Sequence, residues 1–182
     1  ECDYPPLSIV LVIDQSRSMS EEVDGEMKWD WVKEGVITFL EEVPLNSPES
    51  QIALTTFATT ARLRSDFTRD KEALFEIVNN LSVLNTSTNF NVAFLDENFG
   101  AIELLKKSPI NHNRIIVFLT DGKHENITEQ LYADSITSGL RAHNIQLYAI
   151  TLLDEQNSQL SVIAQNSGGD YDRVSSKKSL IL

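Results

Sequence analysis

Oxygen-bearing side chains follow two apolar segments of the sequence and occur again between them. The stretch Asp14-Gln15-Ser16-Arg17-Ser18 comes directly after the first segment, Asp121-Gly122 follows the second, and Asn85-Thr86-Ser87-Thr88-Asn89 lies between the two. Carboxylate and hydroxyl oxygens suit a hard cation such as Mg²⁺, which takes six oxygens in an octahedron and readily keeps waters. The residue types therefore predict a divalent-cation site, provided that the fold brings the three segments together.

The apolar pattern predicts such a fold. Continuous β-branched runs are typical of strands buried on both faces of a parallel sheet, and they occupy 7–13, 114–120 and 145–151. The segments 51–57 and 61–67 are too close for a crossover, so they form a hairpin whose second member is an antiparallel edge strand. A short last strand is expected at 171–174, after Gly168-Gly169.

Stretches with a helical period separate these strands. Apolar residues at three- and four-residue steps predict helices over 29–43, 74–81 and about 91–107, a fourth capped by Thr128 and a fifth capped by Ser158. The chain is therefore predicted to be α/β, a doubly wound, Rossmann-like, mostly parallel six-stranded sheet with one antiparallel edge strand and helices on both faces. Ligands bind at the carboxyl ends of such strands, where the strand order reverses.

Three motifs in this order resemble the von Willebrand factor A (vWA) domain. They are Asp-x-Ser-x-Ser at 14–18, Thr-Asn at 88–89 and Thr-Asp-Gly at 120–122. The resemblance extends over about residues 7–175 of what we expect to be a single domain, 1–182. Two departures are Arg17, where the family often has Gly, and Thr86-Ser87, where it often has Gly-Gly.

The resemblance implies a metal-ion-dependent adhesion site (MIDAS). In that site the hydroxyls of Ser16, Ser18 and Thr88 would bind Mg²⁺, with Mn²⁺ or Ca²⁺ as alternatives. Asp14 and Asp121 would bind the ion directly or through water and hold those hydroxyls in place. The partner implied is a protein that offers a Glu or Asp carboxylate to the open coordination position.

Each site residue also has a purely structural interpretation. The two serines could cap a helix, Thr88 could be a helix N-cap, and Asp121 with the following glycine could form only a turn. Arg17 is either a solvated side chain or a group that steers acidic ligands. An acidic stretch is expected to be a solvated loop, with a second cation site as the alternative; it comprises Glu21, Glu22, Asp24 and Glu26.

Composition excludes several classes of function. The chain has 182 residues, is 41% hydrophobic and carries a net charge of −12, which argues against disorder and against nucleic-acid binding as its main task. No apolar run approaches the roughly 20 residues of a membrane-spanning helix. The single cysteine, Cys2, excludes an internal disulfide framework and a multi-thiolate metal site. The three histidines lack the spacing of a zinc site and are expected at the surface.

Three functions are compatible with this pattern. The leading hypothesis is a non-enzymatic, metal-dependent adhesion or protein-binding module that is extracellular or at the cell surface. An intracellular assembly module of a larger complex, such as one beside an ATPase motor, is the cytoplasmic alternative. A Mg²⁺-dependent phosphohydrolase of the Asp-x-Asp type is disfavoured, because Ser16 stands where its acid–base carboxylate would be. A chain that opens on Glu1 without Met is expected to be a processed product or a domain of a larger protein.

Overall fold

A central sheet of six strands organises the protein in the computed structural model, which describes residues 5–45, 47–122, 124, 130–152 and 158–175. In chain order the described strands are β1 (Leu7–Asp14), β2 (Glu22–Val23), β3 (Glu26–Met27), β4 (Gln51–Phe57), β5 (Ala61–Thr68), β6 (Asn113–Thr120), β7 (Ile145–Leu152) and β8 (Asp170–Val174). The described helices are α1 (Lys28–Glu42), α2 (Lys71–Asn80), α3 (Phe90–Leu95), α4 (Ala101–Lys106), α5 (Ala133–Ala142) and α6 (Ser158–Asn166).

The strand order across the sheet is β5-β4-β1-β6-β7-β8, with β2 and β3 forming a separate hairpin. All neighbouring strands of the large sheet are parallel except β4 and β5. The predicted fold class is therefore confirmed, including the antiparallel edge strand. Because β4 and β6 lie on opposite sides of β1, the strand order reverses at β1.

Side-chain alternation along β1 supplies both layers of the core. Leu11 and Ile13 pack into the cluster that includes residues of α1 and α2, whereas Val10 and Val12 pack into the cluster that includes residues of α3 to α6. All four side chains are at most 1% exposed. A strand apolar on both faces is stable only between two such layers, so this run places the Asp14 end of β1 at the centre of one sheet edge.

The predicted third helix is in fact two helices, α3 and α4. The Asp96 carboxylate accepts hydrogen bonds from the backbone N–H groups of Asn98 and Phe99, at 3.0 and 2.9 Å, which ends α3 in a turn. A Cβ at Gly100 would lie 2.6 Å from the backbone nitrogen of Asp96, so the tight return requires glycine there. Phe99, an apolar residue within the helix predicted over about 91–107, lies in this break and is 40% exposed.

Two further boundaries differ from the expectation. The fourth predicted helix begins only at Ala133, and its expected cap, Thr128, lies outside the described residues. Residues expected to form a solvated loop instead form the β2–β3 hairpin, which turns through Asp24 and Gly25, both with positive φ. A two-residue turn with positive φ at both positions matches the twist of antiparallel strands.

Three ring side chains outside the predicted site are buried. Trp29 and Trp31 lie two positions apart at the start of α1, yet both are buried, and Trp31 donates from Nε1 to Glu26 on the hairpin, at 3.1 Å. His112, predicted at the surface, is buried with its Nδ1 2.8 Å from the Ser8 hydroxyl.

Among the described helices, none is both long and apolar enough to cross a membrane.

We predict that Phe118→Ala destabilises the domain by about 3–5 kcal/mol, the usual loss for truncating a buried aromatic side chain. Phe118 is fully buried and lies 4.8–5.2 Å, between ring centroids, from Phe57, Phe90 and Phe94. Urea denaturation measures the change. The matched control is Phe99→Ala, an exposed aromatic, for which a loss under about 1 kcal/mol is expected; equal losses in the two variants would contradict this account of the core.

Candidate metal centre

Asp14 occupies the carboxyl end of β1 and is fully buried. Its Oδ1 accepts the backbone N–H of Ser16, at 2.8 Å, and its Oδ2 accepts the Thr120 hydroxyl at the end of β6, at 2.7 Å. Burial raises the pKa of Asp14 from 3.8 to about 7, the two hydrogen-bonding residues oppose that rise, and the nearby charge of Asp121 adds to it. This carboxylate therefore joins the ends of two neighbouring strands and is itself shielded from solvent.

Ser16 and Ser18 flank the first residue of a short 3-10 turn, Arg17–Ser20, which follows β1. Their hydroxyl oxygens lie 3.2 Å apart. Adjacent oxygens around an octahedral Mg²⁺, with bonds of about 2.0–2.1 Å, are separated by roughly 3 Å. The Ser16 hydroxyl makes no capping hydrogen bond to the turn, so the capping interpretation does not apply to it.

Thr88 lies on the loop before α3 and is 1% exposed. It lines a polar pocket of about 310 Å³ together with Ser18. The loop is tied to the turn by a hydrogen bond of 2.9 Å from the Arg17 backbone N–H to the Thr86 carbonyl. Thr88 is not the helix cap considered above, because Asn89 occupies that position and its side chain accepts the N–H of Asn91, at 3.0 Å.

Asp121 follows Thr120 directly and is 8% exposed. The next residue, Gly122, has a φ of 110°, and the backbone bends at these two residues. Asp121 Oδ2 accepts a hydrogen bond of 3.1 Å from the ammonium of Lys28, which also donates to Glu21 at 2.6 Å. Burial opposes the charge of Lys28, but these two carboxylates outweigh it and raise its pKa.

Sequence reasoning missed Gln15, which connects the segment after β1 to the loop before α3. Its side-chain nitrogen donates to the Ser82 carbonyl, at 2.6 Å, and its backbone carbonyl accepts the N–H of Leu84, also at 2.6 Å. Arg64 on β5 holds the Gln15 amide oxygen, at 2.8 Å. A polar residue after a buried strand is equally typical of an exposed loop, so the sequence held no signal for this role.

The five predicted residues thus lie at one edge of the sheet, on three segments linked by hydrogen bonds; they are Asp14, Ser16, Ser18, Thr88 and Asp121. Their donors fit a hard divalent cation: paired hydroxyls, a buried carboxylate and a second carboxylate beside it. No group of three or more His, Cys, Asp or Glu residues that could hold a metal occurs in the described part of the chain. A metal here would therefore depend on the hydroxyls.

Comparison with known proteins agrees with the fold. The family model described as von Willebrand factor type A domain matches residues 9–124. Human Matrilin-3 is 23% identical over 168 residues, covering 90% of this chain and 32% of Matrilin-3. The chain thus spans about a third of the length of the curated relatives it matches.

Solved structures give the same architecture. A von Willebrand factor type A protein from Catenulispora acidiphila superposes with a TM-score of 0.80 at 18% identity, covering 97% of this chain and 40% of that one. Proximal thread matrix protein 1 from the mussel byssus, with a zinc-occupied MIDAS motif, superposes with a TM-score of 0.71 at 16% identity, covering 97% of this chain and 43% of that one.

We predict that the metal-free protein loses stability relative to its Asp14→Asn variant as pH rises from about 4 to 7. Because the folded-state pKa of Asp14 is about 7, the folded protein retains a proton that the unfolded chain has released, so this group's contribution falls with rising pH. The steepest change is about 1.4 kcal/mol per pH unit. Urea denaturation in excess chelator at several pH values measures it, and parallel pH curves for the two proteins would contradict it.

Proposed function

The chain belongs to the von Willebrand factor type A domain family, and on that premise we propose that it is a metal-dependent protein-binding module. The ion is Mg²⁺ or Mn²⁺, and the ligand group is a Glu or Asp side chain of a partner protein. The observation that carries the proposal is a fully buried carboxylate, Asp14, beside two serine hydroxyls 3.2 Å apart, of which Ser18 lines a polar pocket.

In this proposal each residue of the site has a defined task. Ser16, Ser18 and Thr88 supply neutral hydroxyl ligands, and Asp14 and Asp121 neutralise part of the ion's charge directly or through water. When bound, the ion supplies a positively charged coordination position that is open to a carboxylate. Hydroxyl ligands add no negative charge, so only Asp14 and Asp121 oppose the positive charge that attracts the partner.

The pocket beside the site suits a single inserted side chain. Its volume is about 310 Å³, and it is lined by residues of the turn after β1 and of the loop before α3: Arg17, Ser18, Ser20, Glu21, Thr86, Ser87 and Thr88. Lys28 already pairs with Glu21, which leaves the Arg17 guanidinium, on an exposed residue, as a donor for an acidic ligand. Hydroxyl groups on the remaining walls can hydrogen-bond a carboxylate in several orientations.

We assign no catalytic step to the site. A carboxylate-based phosphohydrolase needs an acid–base group two residues after its nucleophile, and the side chain there is the Ser16 hydroxyl, engaged with Ser18.

We also propose that residues 1–182 are one domain of a larger protein that acts outside the cell or on its surface.

We predict that Ser16→Ala and Thr88→Ala each weaken Mg²⁺ binding at least tenfold (~1.4 kcal/mol) while changing the free energy of unfolding by about 1 kcal/mol or less. Each change removes one metal ligand without opening a large cavity. Calorimetric titration measures the affinity, and chemical denaturation in chelator measures the stability. Ser87→Ala is the matched control, because Ser87 lines the same pocket but is not a proposed ligand; a Ser16→Ala variant that binds Mg²⁺ normally would refute the ligand assignment.

We further predict that metal and acidic ligand strengthen each other by roughly 5–150-fold, the usual range of such coupling. The probe is an acetylated Gly-Glu-Gly peptide amide at saturating concentration, and Mg²⁺ affinity is measured with and without it. The Gly-Gln-Gly peptide preserves the shape and removes the charge. Equal Mg²⁺ affinities in the presence of the Glu and Gln peptides would rule out recruitment by charge.

A further inference from the structure

A buried cation of the protein itself contacts the candidate metal centre. The Lys28 ammonium lies 3.1 Å from Asp121 Oδ2, and the two side chains are only 7% and 5% exposed. Its second partner, Glu21, lies 2.6 Å away and is 64% exposed. An ammonium at this depth is held between a carboxylate of the site and one at the rim of the pocket.

Local structure fixes this ammonium in place. Lys28 is the first residue of α1, and its backbone N–H donates to the Glu21 carbonyl at 3.0 Å. The same pair of residues is thus joined twice, once through the backbone and once through the side chains, and this closes the β2–β3 hairpin at its base. Trp29 and Trp31 anchor the following turn of the helix in the core.

The charges of the site show what this ammonium does. With both carboxylates ionised, Asp14 and Asp121 contribute two negative charges, formally as many as the positive charges of a divalent ion. Lys28 pairs with Asp121 and also with Glu21, which lines the pocket. Around a divalent ion these four side chains would bring the total charge to zero, whereas without the Lys28 ammonium the same site would carry one net negative charge and would repel a carboxylate ligand.

We propose that Lys28 is a resident counter-ion that lowers the site's affinity for the divalent cation and raises the affinity of the loaded site for an acidic ligand. The inference rests on the proposed function and deepens it, because it assigns the balance between metal and partner to one residue. Like charges repel strongly in a poorly solvated site. Removal of this ammonium therefore has opposite effects on the two ligands.

The experiment compares Lys28→Gln with the wild-type protein. We expect Mg²⁺ alone to bind on the order of tenfold more tightly to the variant, because a neighbouring positive charge is gone. The gain in Mg²⁺ affinity that saturating Gly-Glu-Gly peptide produces is expected to fall at least about threefold. Lys33→Gln is the matched control: it makes the same charge change on the same helix, where Lys33 instead donates to the Asn79 carbonyl, at 2.9 Å.

The outcomes separate this inference from the proposed function. Normal wild-type titrations together with unchanged or weaker Mg²⁺ binding by Lys28→Gln would overturn the counter-ion role and leave the metal site intact. Equal effects of Lys28→Gln and Lys33→Gln would also overturn it, since net charge alone would then explain the change. A wild-type protein that binds no Mg²⁺ would instead overturn the proposed function. Lys28→Met, which keeps the apolar stem of the side chain, replaces the Gln variant if circular dichroism shows that variant to be unfolded.

Discussion

The site depends on the burial of the Asp14 carboxylate at the end of the central strand. A buried carboxylate is stable only if its oxygens are hydrogen-bonded or its charge is neutralised. The Ser16 N–H and the Thr120 hydroxyl supply the hydrogen bonds, and they come from the exits of β1 and β6. The hydrogen bonds to this one carboxylate therefore fix the relative positions of the chain segments that leave β1 and β6. A cation bound by Asp14 would displace the proton that the raised pKa retains and would neutralise the carboxylate in its place.

The loop before α3 is positioned by contacts that do not use the Thr88 hydroxyl. Gln15 holds the backbone at Ser82 and Leu84, and Arg17 holds it at Thr86. These contacts use the backbone of the loop, so its hydroxyl groups are not consumed in holding it. Arg64 extends the clamp to the antiparallel edge strand. The hairpin that departs from the parallel topology thereby supports the loop that carries Thr88.

The sequence predicted the sheet well because its strands are continuous β-branched runs, a pattern that helices rarely share. The carboxyl ends of those strands also predicted where the polar stretches of the site lie. It could not predict the division between α3 and α4, where the local hydrogen bonds of Asp96 override an apolar helical period. Nor could it predict the pairing of Lys28 with Asp121, which are 93 positions apart. Such a contact is set by how α1 packs against the sheet, and no local pattern in the sequence predicts it.

Long-range and short-range electrostatic interactions differ in sign here, which would allow an acidic protein to recruit an acidic group. The net charge of −12 attracts cations from solution, but beyond about 8 Å physiological salt screens it. Exposed acids of the hairpin, Glu22, Asp24 and Glu26, adjoin the pocket through Glu21 and oppose an anion at its entrance. Next to the pocket the short-range balance would be different in the proposed loaded state, because Lys28 and the ion would offset the carboxylates beside them. A partner whose acidic side chain protrudes, and whose neighbouring residues facing the hairpin are neutral or basic, would avoid repulsion at the entrance and still place its carboxylate in the pocket. A uniformly acidic segment would be repelled at the entrance.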